Sequence, residues 1–239
     1  AHGVTMALTD LNALGIVLVI LGGLIPALLW LWFWLKEDNV NPEPGWLIFL
    51  TFLLGVVSVA VVVPIQGFVQ NAVGNDQTKM IVLAAAVEEI VKFGAVMIVA
   101  IRGSNLDEPI DFPIYFITVA LGFAAIENAL FLVNPVSVND STIALLTGNL
   151  RFLGSTLLHA IASATIGISM GLAFFKTKFI RKIYLLIGLA AAIALHSIFN
   201  FFIIADINIS VLRTYAFLWV SAIIVMLVAE KLRRMSNYQ

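Results

Sequence analysis

Residues 79–101 read KMIVLAAAVEEIVKFGAVMIVAI, an apolar stretch long enough to cross a bilayer as one helix, with Glu88, Glu89 and Lys92 in its middle. A charge at bilayer depth costs about 2.5–3.5 kcal/mol on insertion scales and more in simulation. Three such residues within five positions therefore point to a buried reactive site. Two further apolar stretches carry matching features, Glu127-Asn128 on one and His196 with Asn200 on another. His159 adds a fourth helix to the set.

The composition agrees with a membrane protein. Hydrophobic residues make up 62% of the 239 positions and charged residues 11%, against about 25% charged in a soluble domain. Mean hydropathy is +1.06. Seven apolar segments follow, at about 12–35, 46–69, 79–101, 112–133, 150–175, 183–205 and 211–230. The reading is an all-α polytopic protein with one transmembrane domain over 1–239 and its catalytic helices within about 79–205. The first run is too long for a signal-peptide core and lacks a basic flank, so it reads as a retained helix. A net charge of −1 argues against nucleic acid as a partner, and the absence of cysteine excludes disulfides and thiolate metal sites.

Lys and Arg set the orientation. Lys36, Arg102, Lys176, Lys178, Arg181, Lys182, Lys231, Arg233 and Arg234 fall on one side, and only Lys79, Arg151 and Arg213 on the other. The bias predicts the N-terminus outside and the C-terminus in the cytoplasm. With helix directions alternating, Glu88, Glu89, His196, His159 and Glu127 fall in one layer, about 2–8 Å to the outer side of the midplane. Gln66, Gln70 and Asn71 lie at the outer end of the second helix, where they either line a substrate path or simply face water.

The spacing supports hydrolytic chemistry. Glu88 and Lys92 are i,i+4 and Glu89 and Lys92 are i,i+3, so either carboxylate can meet the ammonium. Lys92 offsets the desolvation of a buried carboxylate, and adjacent carboxylates do not ionise with equal ease. One can then serve as a general base for water while the other holds or passes a proton. His196 and Asn200 share a helical face and can donate to an oxyanion.

Glu88-Glu89-Ile90-Val91-Lys92 is an E-E-x-x-K motif, Phe123 to Asn128 is F-x-x-x-E-N, and His196 to Asn200 is H-x-x-x-N. In this order, with His159 between the last two, they resemble the PrsW family of intramembrane proteases. That family is related to the type II CAAX prenyl endopeptidases and bacteriocin-processing membrane proteins. The resemblance spans roughly residues 80–205. It implies a multi-pass prokaryotic cell-membrane endopeptidase acting on a membrane-protein or peptide substrate, of the kind that makes the first cut in an anti-sigma factor. It also implies roles: Glu88 activates water, Glu89 and Lys92 tune it, His196 and Asn200 stabilise the oxyanion, and Asn128 supports. The prenyl enzymes have E-E-x-x-x-R and F-x-x-x-H where this chain has Lys92 one position earlier and Glu127. Glu127 or His159 must then position the water. Two mechanisms stay open. The metal-free, glutamic-type one is preferred, because Lys92 supplies internal positive charge and no H-E-x-x-H is present. In the other, a divalent metal such as zinc sits among Glu88, Glu89, Glu127, His159 and His196.

Blander readings stand beside these. Glu88, Glu89 and Lys92 can be a structural ion pair, and His159 an interhelical hydrogen bond. His196 with Asn200, and Glu127 with Asn128, can serve structure alone. Gly167-x-x-x-Gly171 reads as close helix packing. A proton-coupled transporter would use the same residue types, but no internal repeat is visible and seven spans do not divide evenly. A non-catalytic scaffold would have little reason to keep all three motifs. Substrate identity and oligomeric state are not encoded in any of these features.

Overall fold

A computed structural model describes residues 11–36, 41–101, 106–138, 143, 151–204 and 211–236. Seven long helices make up the body: α1 (Ala13–Leu35), α2 (Gly45–Val73), α3 (Gln77–Ile101), α4 (Asp111–Ser137), α5 (Thr156–Leu172), α6 (Lys178–Ile204) and α7 (Val211–Ser236). A π-helical turn, Arg151–Ser155, leads into α5. No strand occurs among the described residues. Each helix coincides with one predicted apolar segment, differing by a few residues at the ends. Arg102 and Glu37–Asn39 lie outside the described residues.

Local chemistry sets several boundaries. Asn12 caps α1 by accepting from the Gly15 amide at 2.7 Å. Pro44 precedes the first turn of α2. That helix ends at Gly74, whose φ of 64° suits a residue without Cβ. Asp76 then caps α3 through the Lys79 amide at 3.0 Å.

Six of the seven helices are long and apolar enough to cross a membrane. The exception is α3, because any 18-residue stretch of it contains Glu88, Glu89 and Lys92. Its length matches its neighbours, and it is set apart only by the three residues that mark the site.

α4 is the central helix, packed against α1, α2, α3 and α5. Its closest approaches need glycine. A Cβ on Gly55 of α2 would lie 2.0 Å from the Val119 carbonyl oxygen, and one on Gly122 of α4 would lie 2.1 Å from that of Phe52. Gly167 of α5 meets the backbone of Pro113 at 2.6 Å in the same sense, and Gly171 that of Pro109 at 2.4 Å, so the small-residue spacing on α5 does mark helix packing.

Contacts along the helices fix their directions. Gly15 of α1 faces Val136 of α4, while Trp34 and Ile110, at their other ends, share a small cavity. Those two helices are antiparallel. Gly188 of α6 meets Ser169 of α5, and His196 meets His159, again antiparallel. Gly154 with Tyr215 and Gly171 with Leu232 make α7 parallel to α5. The chain therefore runs up and down in strict alternation. One hydrophobic cluster draws on all seven helices, from Ala27 through Leu47, Val96, Tyr115, Ile161 and Ala192 to Leu218. The outer faces of α1, α2, α6 and α7 remain apolar and exposed, as lipid contact requires. Alternation also separates two ends of the bundle: a basic end with Lys36, Lys176, Lys178, Arg181, Lys182, Lys231, Arg233 and Arg234, and an opposite end holding the α2–α3 connection, Lys79 and Arg151.

Candidate active site

At the middle of α3, Glu88 and Glu89 point into the bundle and both are buried. They have different partners. Glu89, rather than Glu88, pairs with Lys92, with Nζ 2.6 Å from Oε1 and both side chains fully buried. The same Oε1 lies 2.8 Å from His196 Nδ1 on α6, and Ser163 Oγ of α5 donates to Oε2 at 2.9 Å. Both oxygens of Glu89 are thus engaged. Glu88 is satisfied on one side only: Gln66 Nε2 of α2 donates to Oε1 at 2.9 Å, while Oε2 is buried with no hydrogen-bond partner.

α4 and α5 complete the cluster. His159 Nε2 lies 2.9 Å from Glu127 Oε2, which also receives Arg151 Nη2 at 2.5 Å. Arg151 Nε donates to Asn128 Oδ1 at 2.7 Å, and Asn128 Nδ2 donates to Thr156 Oγ1 at 2.7 Å. The π-helical turn brings Arg151 back over α4 to make these bonds, and such turns are frequent at functional sites. Phe123 closes the space beneath, its ring 5.4 Å from that of His159 and 4.8 Å from Lys92 Nζ.

Tautomers follow from the partners. A carboxylate only accepts, so His196 turns its Nδ1–H to Glu89 and His159 its Nε2–H to Glu127. His196 Nε2 and His159 Nδ1 are left with lone pairs. They face Glu88 Oε2 at 3.7 and 3.9 Å. Three acceptor atoms thus converge in a buried space, all within 4.8 Å of one another. Such a set calls for a cation or a donor between its members. Lys92 Nζ, 3.2 Å from His159 Nδ1, meets one of the three.

Six of the sequence-derived candidates form this one network: Glu88, Glu89, Lys92, Glu127, His159 and His196. Asn128 joins it through Arg151. Asn200 does not sit among the carboxylates. It lies one turn beyond His196 and lines a cavity of about 440 Å³ at the α2–α3 end. Gln66, Ser163 and Arg151 belong to the site without having been singled out for it. Ser163 had a legible signal, since it is i+4 to His159 on the same helical face. Arg151 had been counted only as a topology residue, and Gln66 only as a lining or water-facing amide.

The family profile described as PrsW family intramembrane metalloprotease matches residues 43–229. The chain belongs to the PrsW family. It is 30% identical over 190 residues to the protein named Protease PrsW of Geobacillus kaustophilus, covering 78% of this chain and 80% of that one. It is 27% identical over 205 residues to the Protease PrsW of Bacillus subtilis, covering 84% and 90%. The Protease PrsW of Clostridioides difficile is 27% identical over 190 residues, covering 77% and 78%. No solved structure matches the chain. All four helices of the cluster fall inside the matched span, and with the apolar helices around them they make this PrsW-family member a multi-pass membrane protease.

Proposed function

We propose that this chain is a metal-dependent intramembrane endopeptidase whose cation is held by Glu88, His159 and His196. The observation that carries the reading is the convergence of three acceptor atoms, of which Glu88 Oε2 has no hydrogen-bond partner. Each imidazole gives its N–H to a carboxylate and turns its lone pair to Glu88 Oε2, which has no partner of its own. Carboxylate-oriented histidines are how proteins prepare metal ligands. Zinc ligands at about 2.0–2.2 Å stand about 3.4 Å apart in a tetrahedron; the two contacts to Glu88 Oε2, 3.7 and 3.9 Å, need a few tenths of an ångström of closure, and all three atoms lie within 4.8 Å of one another. Charge supports the same reading: three carboxylates (Glu88, Glu89, Glu127) face two fixed cations (Lys92, Arg151). The family's description as a metalloprotease agrees. This reverses the preference for metal-free catalysis drawn from the sequence.

A divalent cation such as zinc supplies Lewis acidity to a substrate carbonyl and makes water a better nucleophile. The chain's own residues do the rest. Glu89 and Glu127 hold the two imidazoles in their tautomers, Lys92 and Arg151 pair with those carboxylates, and Phe123 excludes water from beneath. Asn200, one turn from His196 toward the cavity, donates its amide to the bound peptide. The substrate is a protein that enters the membrane, cut near the α2–α3 end. The lysine and arginine bias puts that end outside the cell, as cleavage of an anti-sigma factor on its outer side requires.

One observation favours the metal-free alternative. Lys92 Nζ occupies the His159 lone pair that a metal would need, and Glu88 then acts as the general base alone. Metal analysis of the purified protein, followed by cleavage assays on single-span peptides before and after chelation, decides between them. About one equivalent of metal, activity lost on chelation and restored by zinc, and loss of metal in His196→Ala are expected. Undiminished cleavage by metal-stripped protein would overturn the metal reading and leave the glutamic one.

A further inference from the structure

The cavity beside Asn200 is not part of the buried cluster, yet three helices point it there. Gln70 is one turn from Gln66, which binds Glu88. Ala84 is one turn from Glu88 itself, and Asn200 is one turn from His196. Exposure falls in the same order. Gln70, Asn75 and Gln77 at the rim are exposed, Met80, Ala84 and Asn200 are half-buried, and Glu88 and His196 below are buried. The space is about 440 Å³, within the usual range for ligand pockets.

Among the described residues its lining is uncharged. Amides ring it, with Met80 and Ala84 between them, and the nearby charges of Asp76 and Lys79 neutralise each other at 2.9 Å. Amide side chains offer both donors and acceptors, which suits a peptide backbone that has left its helix and lost its own hydrogen bonds. They offer no opposite charge to an ionic side chain.

We propose that this cavity is the substrate vestibule, and that it takes an unwound, uncharged peptide segment at the membrane boundary of a spanning helix and delivers it to Glu88. The proposal rests on the protease reading for its direction, but peptide binding can be tested without cleavage. The Glu88→Gln protein, in lipid, carries a photoreactive benzoylphenylalanine at Met80, or at the exposed Phe68 of α2 as control. It is irradiated with a labelled single-span peptide that has Gln in its boundary segment. Crosslinking from position 80, at least about fivefold above that from position 68 and competed by unlabelled peptide, is expected. Equal labelling from the two positions, or none from 80, overturns the vestibule. If position 80 labels and the wild type cleaves nothing, the protease reading fails and a peptide-binding site remains.

A second measurement reads specificity. Replacing the boundary Gln of the peptide by Glu should lower kcat/KM by about tenfold or more, since a carboxylate there meets no opposite charge among the lining residues. Gln70→Lys should narrow that ratio toward one by supplying the partner. A wild type indifferent to the substitution, or a Gln70→Lys protein with an unchanged ratio, overturns the selection for uncharged segments.

Discussion

Replacing Lys92 by Met separates the structural work of the buried charges from their chemistry. The ammonium lies 2.6 Å from Glu89 Oε1 with both groups fully buried. At an effective dielectric constant of 20, that separation corresponds to a gross attraction of about 6 kcal/mol. Most of this offsets desolvation, and removing one partner of a buried pair costs about 3–5 kcal/mol because the other charge is stranded. Ser163 and His196 still donate to Glu89, so the expected loss is at the lower end, about 3 kcal/mol. Adding Glu89→Gln removes the stranded charge, and the double variant should recover at least about 2 kcal/mol of that loss. Unfolding by SDS in mixed micelles, followed by helicity, measures both. The double variant should nonetheless cleave about 10–100-fold more slowly than wild type, because a neutral amide no longer fixes the His196 tautomer. A Lys92→Met protein within about 1 kcal/mol of wild type, or a double variant no more stable than the single one, would refute the reasoning.

Other residues give sharper or simpler tests. Arg151→Gln should lower kcat by about 10–100-fold with little change in KM, since Arg151 positions Glu127 and Asn128 rather than touching substrate; an unaltered kcat would place it outside the machinery. Gly122→Ala drives a methyl to 2.1 Å from the Phe52 carbonyl oxygen and should cost about 1–3 kcal/mol or more. Gly94→Ala on α3, which meets nothing within 4 Å, should instead stabilise by about 0.5–1 kcal/mol; equal effects of the two in the same unfolding assay would contradict the packing described. The chain has no cysteine, so single cysteines at Thr78 and Phe179 report orientation directly. A membrane-impermeant maleimide added to intact cells should label the first and not the second, and the reverse pattern would invert the proposed topology.

Much of the fold is legible because bilayer-spanning helices must satisfy their backbones internally, which ties length and hydropathy to structure. The seven segments appear for that reason, and some helix ends shift where a cap such as Asp76 or the π-helical turn at Arg151 intervenes. The site is legible to the extent that charge at depth needs a reason. Glu88, Glu89, Lys92, Glu127, His159 and His196 stand out on that ground alone. What spacing cannot give is helix rotation. Both Glu88 and Glu89 are within reach of Lys92 along one helix, and only the packing of α5 and α6 against α3 selects Glu89 for the ion pair. Gln66 stayed ambiguous because a neutral amide near a helix end costs little whether it faces water or a carboxylate.

That selection between adjacent glutamates bears on the chemistry. With Lys92, Ser163 and His196 all committed to Glu89, both oxygens of its carboxylate are engaged and the group is held in place. Glu88, one residue away, keeps an oxygen free and faces two imidazole lone pairs. A purely structural ion pair would have left no buried acceptor unsatisfied, because each orphan costs about 1–3 kcal/mol. A proton relay would need a continuous donor–acceptor chain toward both ends of the bundle. Here Gln66 meets Glu88, and the cavity beside Asn200 begins one helical turn further toward the α2–α3 end, while toward the basic end Ala95, Val96, Val99 and Phe116 are packed and apolar. If the cavity is the entrance proposed above, a site reached from that end and packed with apolar side chains toward the other suits hydrolysis of a peptide that arrives and leaves by the same face, and it argues against transport across the membrane.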